Sequence, residues 1–188
     1  LDLFANIPLL LGPILFYVVL LALPIYAFFR RERQIKEQNV AFARFVPQEF
    51  LKFLNRDDIT EISLGDQTER KITILFADIR SFTTISEQMT PEENFSFLNR
   101  FLGNIGPIVR KHGGFIDKYI GDAIMALFPG RADEAIHAAI EMQSAVERLN
   151  SRTSGGKSPH IRIGIGIHTG ITMLGIVGET ERFQGTVI

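Results

Sequence analysis

Cysteine is absent from the 188 residues, which excludes disulfides, thiolate metal sites and cysteine nucleophiles together and fits a reducing compartment. Charge of either sign is in no excess, since 20 Lys and Arg against 21 Asp and Glu leave a formal net charge of −1. A nucleic-acid binder would carry a basic stripe, so no nucleic-acid partner is expected. Histidine is scarce, and no Gly-x-Ser-x-Gly stands beside the 4 that occur, which leaves serine-hydrolase chemistry without its nucleophile elbow. His112, His137, His160 and His168 read as structural hydrogen-bonding groups. Gly164, Gly166 and Gly170 superficially suggest a dinucleotide loop, but they fall within an alternating strand and its turn, not between a strand and a helix. The first apolar run has no basic segment before it and no small-residue cleavage site after it, so it is not a signal peptide.

The chain does contain an acid placed where an apolar strand ends. Residues 72–77 read Ile-Thr-Ile-Leu-Phe-Ala, β-branched and apolar enough for a buried strand, and Asp78 follows where that strand should leave the core. Ile79, Arg80, Ser81, Phe82 and Thr83 come next, a turn whose free backbone N–H groups can face an anion. Further on, residues 115–120 and 123–128 are two short apolar runs around Gly121-Asp122, the sequence form of a tight β-hairpin. Taken alone, each acid has an ordinary explanation, because Asp after a strand serves turns and helix caps and Gly-Asp is common hairpin chemistry. If the hairpin pairs beside the first strand, Asp78 and Asp122 converge. Two carboxylates together with phosphate oxygens can then bind two Mg²⁺ or Mn²⁺ ions.

Phe-Ala-Asp-Ile-Arg-Ser-Phe-Thr at 76–83, combined with Lys-Tyr-Ile-Gly-Asp-Ala-Ile-Met-Ala at 118–126, resembles the signature of the class III adenylate/guanylate cyclases. The resemblance runs roughly from Phe45 to Ile188. It implies a bacterial membrane-anchored adenylate cyclase that converts ATP to 3′,5′-cyclic AMP and pyrophosphate in signal transduction. It also implies that Asp78 and Asp122 bridge two metal ions, with the backbone carbonyl of Ile79 as a further ligand. The N–H groups of Ile79, Arg80, Ser81, Phe82 and Thr83 would hold the phosphates. By the same resemblance Lys118 and Thr186 read the purine and favour ATP over GTP, although Lys118 without its flanking motif would be a solvated hairpin lysine. Arg162 is a further phosphate candidate, at a spacing that departs from the family's. Each site is expected at a homodimer interface, with metal residues from one chain and purine residues from the other. The family's transition-state Asn and Arg and a triphosphate-binding Lys would lie beyond Ile188, so these 188 residues are expected to be a near-inactive fragment of an active enzyme. A guanylate cyclase and a catalytically inactive nucleotide-binding regulatory module are the alternatives.

Ahead of this region, Leu9 to Phe29 carries no charge, long enough as a helix to cross a bilayer core. Arg30, Arg31, Arg33 and Lys36 follow it, against Asp2 alone on the other flank. The expectation is a transmembrane helix, with the protein in the cell membrane and the catalytic domain in the cytoplasm. Residues 1–29 would form that helix, residues 30–66 a juxtamembrane linker helix and entry segment, and residues 67–188 a cyclase catalytic domain incomplete at its C-terminus. The linker helix fits a parallel pairing in a dimer and a solvated helix equally well.

Within the catalytic region, Thr90-Pro91-Glu92-Glu93 opens a helix with a capping box and proline in its first turn. Phe95, Leu98, Leu102 and Ile105 supply its apolar face, and Ile136, Ala139, Ile140, Val146 and Leu149 that of the next helix. Residues 161–167 alternate as a strand that Gly170 turns toward residues 171–177. The order strand, helix, strand, strand, helix, strand predicts an α+β, ferredoxin-like βαββαβ domain.

Overall fold

The computed structural model describes the backbone of residues 7–42, 47–56, 59–152 and 159–188. Two compact units divide the chain, Leu1–Val46 and Pro47–Ile188. In the first, one continuous helix, α1 (Ile7–Phe42), covers the apolar run and the charged residues after it. Among the described residues no helix is long and apolar enough to cross a membrane, so the expected transmembrane helix is not supported. The side chains of residues 16–29 of that helix are uncharged and exposed. Arg30, Arg31, Glu32 and Arg33 occupy the next turn.

The second unit is built on one antiparallel sheet with strands β1 (Gln67–Ile79), β2 (Phe115–Ile120), β3 (Ala123–Phe128), β4 (Ile163–Glu179) and β5 (Arg182–Val187). They lie in the order β2-β3-β1-β4-β5. Helix α4 (Pro91–Lys111) connects β1 to β2, and α5 (Ala132–Arg152) connects β3 to β4. This is the expected βαββαβ unit with one strand added. Alternation along β1 sorts its residues between two cores. Leu75, Ala77 and Ile79 pack with Phe97, Phe101, Ile105, Met142 and Val146 under α4 and α5. Ile72 and Ile74 turn to the other face, where the short helix α2 (Gln48–Phe53) covers them with Phe50. Phe76 and Asp78, farther along that second face, are exposed.

Local signals set several of these elements. Thr90 Oγ1 accepts the Glu93 N–H at 3.2 Å while Glu93 Oε2 accepts the Thr90 N–H at 2.9 Å, so the capping box closes with Pro91 behind it. The hairpin strands take the expected bounds, and Gly121 has φ +63° while Asp122 does not turn positive. Positive φ at the first turn position alone is the type II′ pattern, which requires glycine there.

Other expectations are corrected. Phe95 is exposed rather than core, because α4 turns Phe97, Phe101, Ile105, Ile108 and Val109 inward. Ile136 and Ile140 are exposed as well, and Ala135, Ala138, Met142 and Ala145 face the sheet. Small side chains let α5 approach closely, and that choice sets the helix phase. Gly170 does not turn the chain, since β4 runs unbroken past it and pairs with β1 from Ile163 to Gly175. Pro47 sits just before α2 at the cap rather than in its first turn. The entry residues Phe45 and Val46, the turn residues Asp57 and Asp58, and positions 153–158 lie outside the described residues.

Candidate active site

The hairpin delivers the second acid to the first. β1 and β3 pair from Thr73 opposite Phe128 to Ala77 opposite Ile124, and this register, run on past its last pair, sets Asp122 against Ile79. The contact is there, with the Ile79 N–H donating to Asp122 Oδ2 at 3.2 Å. The Asp78 carboxyl stands close enough to raise the proton affinity of Asp122, so the two carboxylates converge. Burial first, then the neighbouring Asp78 carboxyl, push the Asp122 carboxyl up to about 6, against the opposing pull of two backbone N–H groups, its own and that of Ile79. Among the described residues no group of three or more His, Cys, Asp or Glu side chains gathers. The pair therefore offers hard oxygen donors suited to Mg²⁺ or Mn²⁺, whose sphere backbone and substrate oxygens can complete.

This raised pKa has a measurable consequence. The folded domain holds the Asp122 proton more tightly than the unfolded chain does, so protonation favours folding. Its contribution is complete below roughly pH 4, the ordinary carboxylate range, and is lost as pH rises through about 6. Without divalent ions, thermal stability should fall across that window by more in the wild type than in Asp122→Asn. Because the side chain is partly exposed, the difference should be on the order of 1 kcal/mol rather than the whole converted shift. Thermal unfolding at several pH values checks it, and parallel slopes in the two proteins would exclude the shift.

The turn after β1 is organised around Ser81, which has φ +59° and precedes the short helix α3 (Phe82–Ser86). Two of the five N–H groups expected to face phosphate are already engaged, Ile79 by Asp122 and Arg80 by the Arg162 carbonyl at 2.8 Å. Those of Ser81, Phe82 and Thr83 stand at the helix start, where no intrahelical acceptor exists. The Arg80 guanidinium lies over Gly164, filling the space a Cβ would take. That seat is invisible in the sequence, because Gly164 meets Asp78 only through the β1–β4 register. The Arg162 side chain is exposed just ahead of β4.

Lys118 and Thr186 sit on strands at opposite edges of the sheet, β2 and β5. Five flat strands would separate those edges by about 19 Å, yet Lys118 Nζ donates to the carbonyl of Gly185, next to Thr186, at 3.3 Å. The sheet is therefore curled, and the curl brings the two expected purine residues to one place. His168 lies exposed in mid-β4, away from the acids. His112 pairs with Glu141 at 2.8 Å on the α4–α5 side.

Residues 64–184 match the family model described as the adenylate and guanylate cyclase catalytic domain. The chain belongs to this family. As a cyclase domain it is 48% identical over 160 residues to an adenylate cyclase of Anabaena cylindrica, covering 82% of this chain and 32% of that protein. It is 37% identical over 161 residues to the terminal-differentiation adenylate cyclase of Dictyostelium discoideum, covering 83% of this chain and 8% of that protein. The chain thus spans about a third or less of these relatives. Among solved structures, the guanylyl cyclase Cya2 superposes with a TM-score of 0.58 at 35% identity, over 67% of this chain and 66% of that one. The adenylyl cyclase CyaB from P. aeruginosa gives 0.58 at 32% identity, over 65% and 67% respectively.

Proposed function

We propose that this cyclase domain converts ATP to 3′,5′-cyclic AMP and pyrophosphate at a site shared by two copies of the chain, using two Mg²⁺ or Mn²⁺ ions per site. The observation that carries the reading is the convergence of Asp78 and Asp122 at the end of β1. Divalent ions held there supply acidification of the attacking ribose hydroxyl and charge neutralisation at the leaving phosphates. Asp78 and Asp122 hold them as carboxylates, and the Ile79 carbonyl supplies a further oxygen. The N–H groups of Ser81, Phe82 and Thr83, with Arg80 seated on Gly164, orient the triphosphate, and Arg162 reaches it from the start of β4. Lys118 and Thr186 read the purine from the other chain. The Anabaena and Dictyostelium relatives, both named adenylate cyclases, support ATP as the substrate.

The test is product formation from ATP and from GTP in Mn²⁺, followed by chromatography over long incubations. Cyclic AMP in excess of cyclic GMP is expected. Cyclic GMP in excess would make the protein a guanylate cyclase. Nucleotide binding without either product, in a dimer confirmed by sedimentation, would make it a regulatory module.

A further inference from the structure

Neither the purine contact nor the metal site accounts for Asp117. Its side chain is 3% exposed, and its Oδ2 is enclosed without a hydrogen bond. Burial pushes this carboxyl up, and the neighbouring ammonium pulls it back. An acid in that position is costly unless it is compensated. The compensating group is Lys118, whose Nζ stands 3.2 Å from Asp117 Oδ2, an ion pair outside hydrogen-bonding geometry.

Two consecutive strand residues should point to opposite faces. Phe115 faces α2, stacked on Phe53, and Ile116 faces the α4–α5 core. Strict alternation would send Asp117 to the α2 side and Lys118 to the helix side. The pairing slips here, however. Ile116 opposes Ala126 and Lys118 opposes Met125, which leaves Asp117 as an extra residue in β2. Such a bulge re-aims the side chain after it. Lys118 consequently shares a side with Asp117 and reaches Gly185, where an added Cβ would stand 3.0 Å from the Phe50 ring of α2.

We propose that Asp117 is a positioning residue for purine recognition, its buried carboxylate on the β2 bulge holding the Lys118 ammonium beside Gly185 and Thr186 before nucleotide arrives. The proposal rests on Lys118 reading the purine. An ammonium has three N–H donors. One goes to the Gly185 carbonyl and the Asp117 charge fixes the direction of the head, so a donor is left aimed at an acceptor on the purine edge. A lysine free to rotate could satisfy either base. A lysine held in one direction discriminates between an acceptor pattern that meets it and one that does not.

The experiment measures dissociation constants of Mn²⁺–ATP and Mn²⁺–GTP by calorimetry on the whole chain, with NMR order parameters for the Lys118 methylenes. Asp117→Asn keeps the shape and removes the charge. It should shrink the ATP-over-GTP preference by about tenfold, the size of one charge-assisted contact. It should also mobilise Lys118 and leave Mn²⁺ affinity without nucleotide unchanged. Asp117→Glu should recover part of the preference. An unchanged preference and an ordered Lys118 in Asp117→Asn would overturn the proposal, as would a mobile Lys118 in the nucleotide-free wild type, a measurement that needs no variant. Lys118→Ala separates the two layers. If it leaves the preference intact, the purine reading fails and the positioning role fails with it. If it collapses the preference while Asp117→Asn does not, only the positioning role fails.

Discussion

Asp78→Ala should lower cyclic nucleotide formation by about a thousandfold or more, because a binuclear clamp that neutralises both the attacking and the leaving oxygens is worth several kcal/mol. Asp122 would be left without its partner carboxylate, so Mn²⁺ affinity measured by paramagnetic resonance should fall in step. Lys118→Ala should cost less, about a hundredfold with ATP, since it removes one buried polar contact to the base. The two losses need not lie in the same site. If metal residues come from one chain and purine residues from the other, a dimer of one variant with the other keeps one site fully intact and concentrates both lesions in its second site. Random exchange at equal concentrations makes about half the dimers mixed, each with one working site of two, so activity should return to about a quarter of wild type in a symmetric two-site dimer. That is far above either variant alone. Mixed dimers confirmed by mass spectrometry but no more active than Lys118→Ala would place both residue sets within a single chain.

Much of this site was legible in the sequence because the signals that define it are local. Residue 78 at the close of an apolar run, and a glycine at φ +63° in the turn before Asp122, fix where the acids leave the sheet. Their meeting then needs only the β1–β3 register. The capping box at Thr90 was legible for the same reason, being closed within four residues.

Features that depend on distant partners were not. Helix α5 exposes Ile136 and Ile140 and buries Ala135 and Ala138, a phase that follows from how closely the helix must approach the sheet. A periodicity that counts large apolar residues reads it wrongly. Gly170 carries a turn signal, but the long ladder that β4 makes with β1 overrides it. The β2 bulge depends on what β3 offers opposite Asp117, and no residue type announces it.

The same distinction makes Gly114 the position where the smallest change should cost the fold most. Glycine there looks like the second half of a Gly-Gly break releasing α4 into β2. In the structure its Cα faces the ring of Phe128, and an added Cβ would stand 2.5 Å from Cε1, 2.7 Å from Cδ1 and 2.8 Å from Cζ. Phe128 is fully buried at the end of β3 in the core that α4 and α5 share, so the ring has no solvent side to swing into. The backbone cannot yield cheaply either, since the Gly114 N–H is bonded to the Val109 carbonyl at 3.0 Å. Gly114→Ala should destabilise the domain by about 3 kcal/mol, the upper range for overpacking, and lower its melting temperature by roughly 10 °C. Gly103→Ala is the matched control, because it lies within α4 and a Cβ there meets nothing within 4 Å. It should gain up to about 1 kcal/mol from helix propensity. Differential scanning calorimetry of the two variants decides the matter, and a Gly114→Ala transition within a degree or two of wild type would mean that the Phe128 ring has room to move. Because β3 carries Phe128 at one end and follows Asp122 at the other, any Gly114→Ala protein that stays folded by shifting that strand should also bind Mn²⁺ more weakly, whereas Gly103→Ala should bind it unchanged.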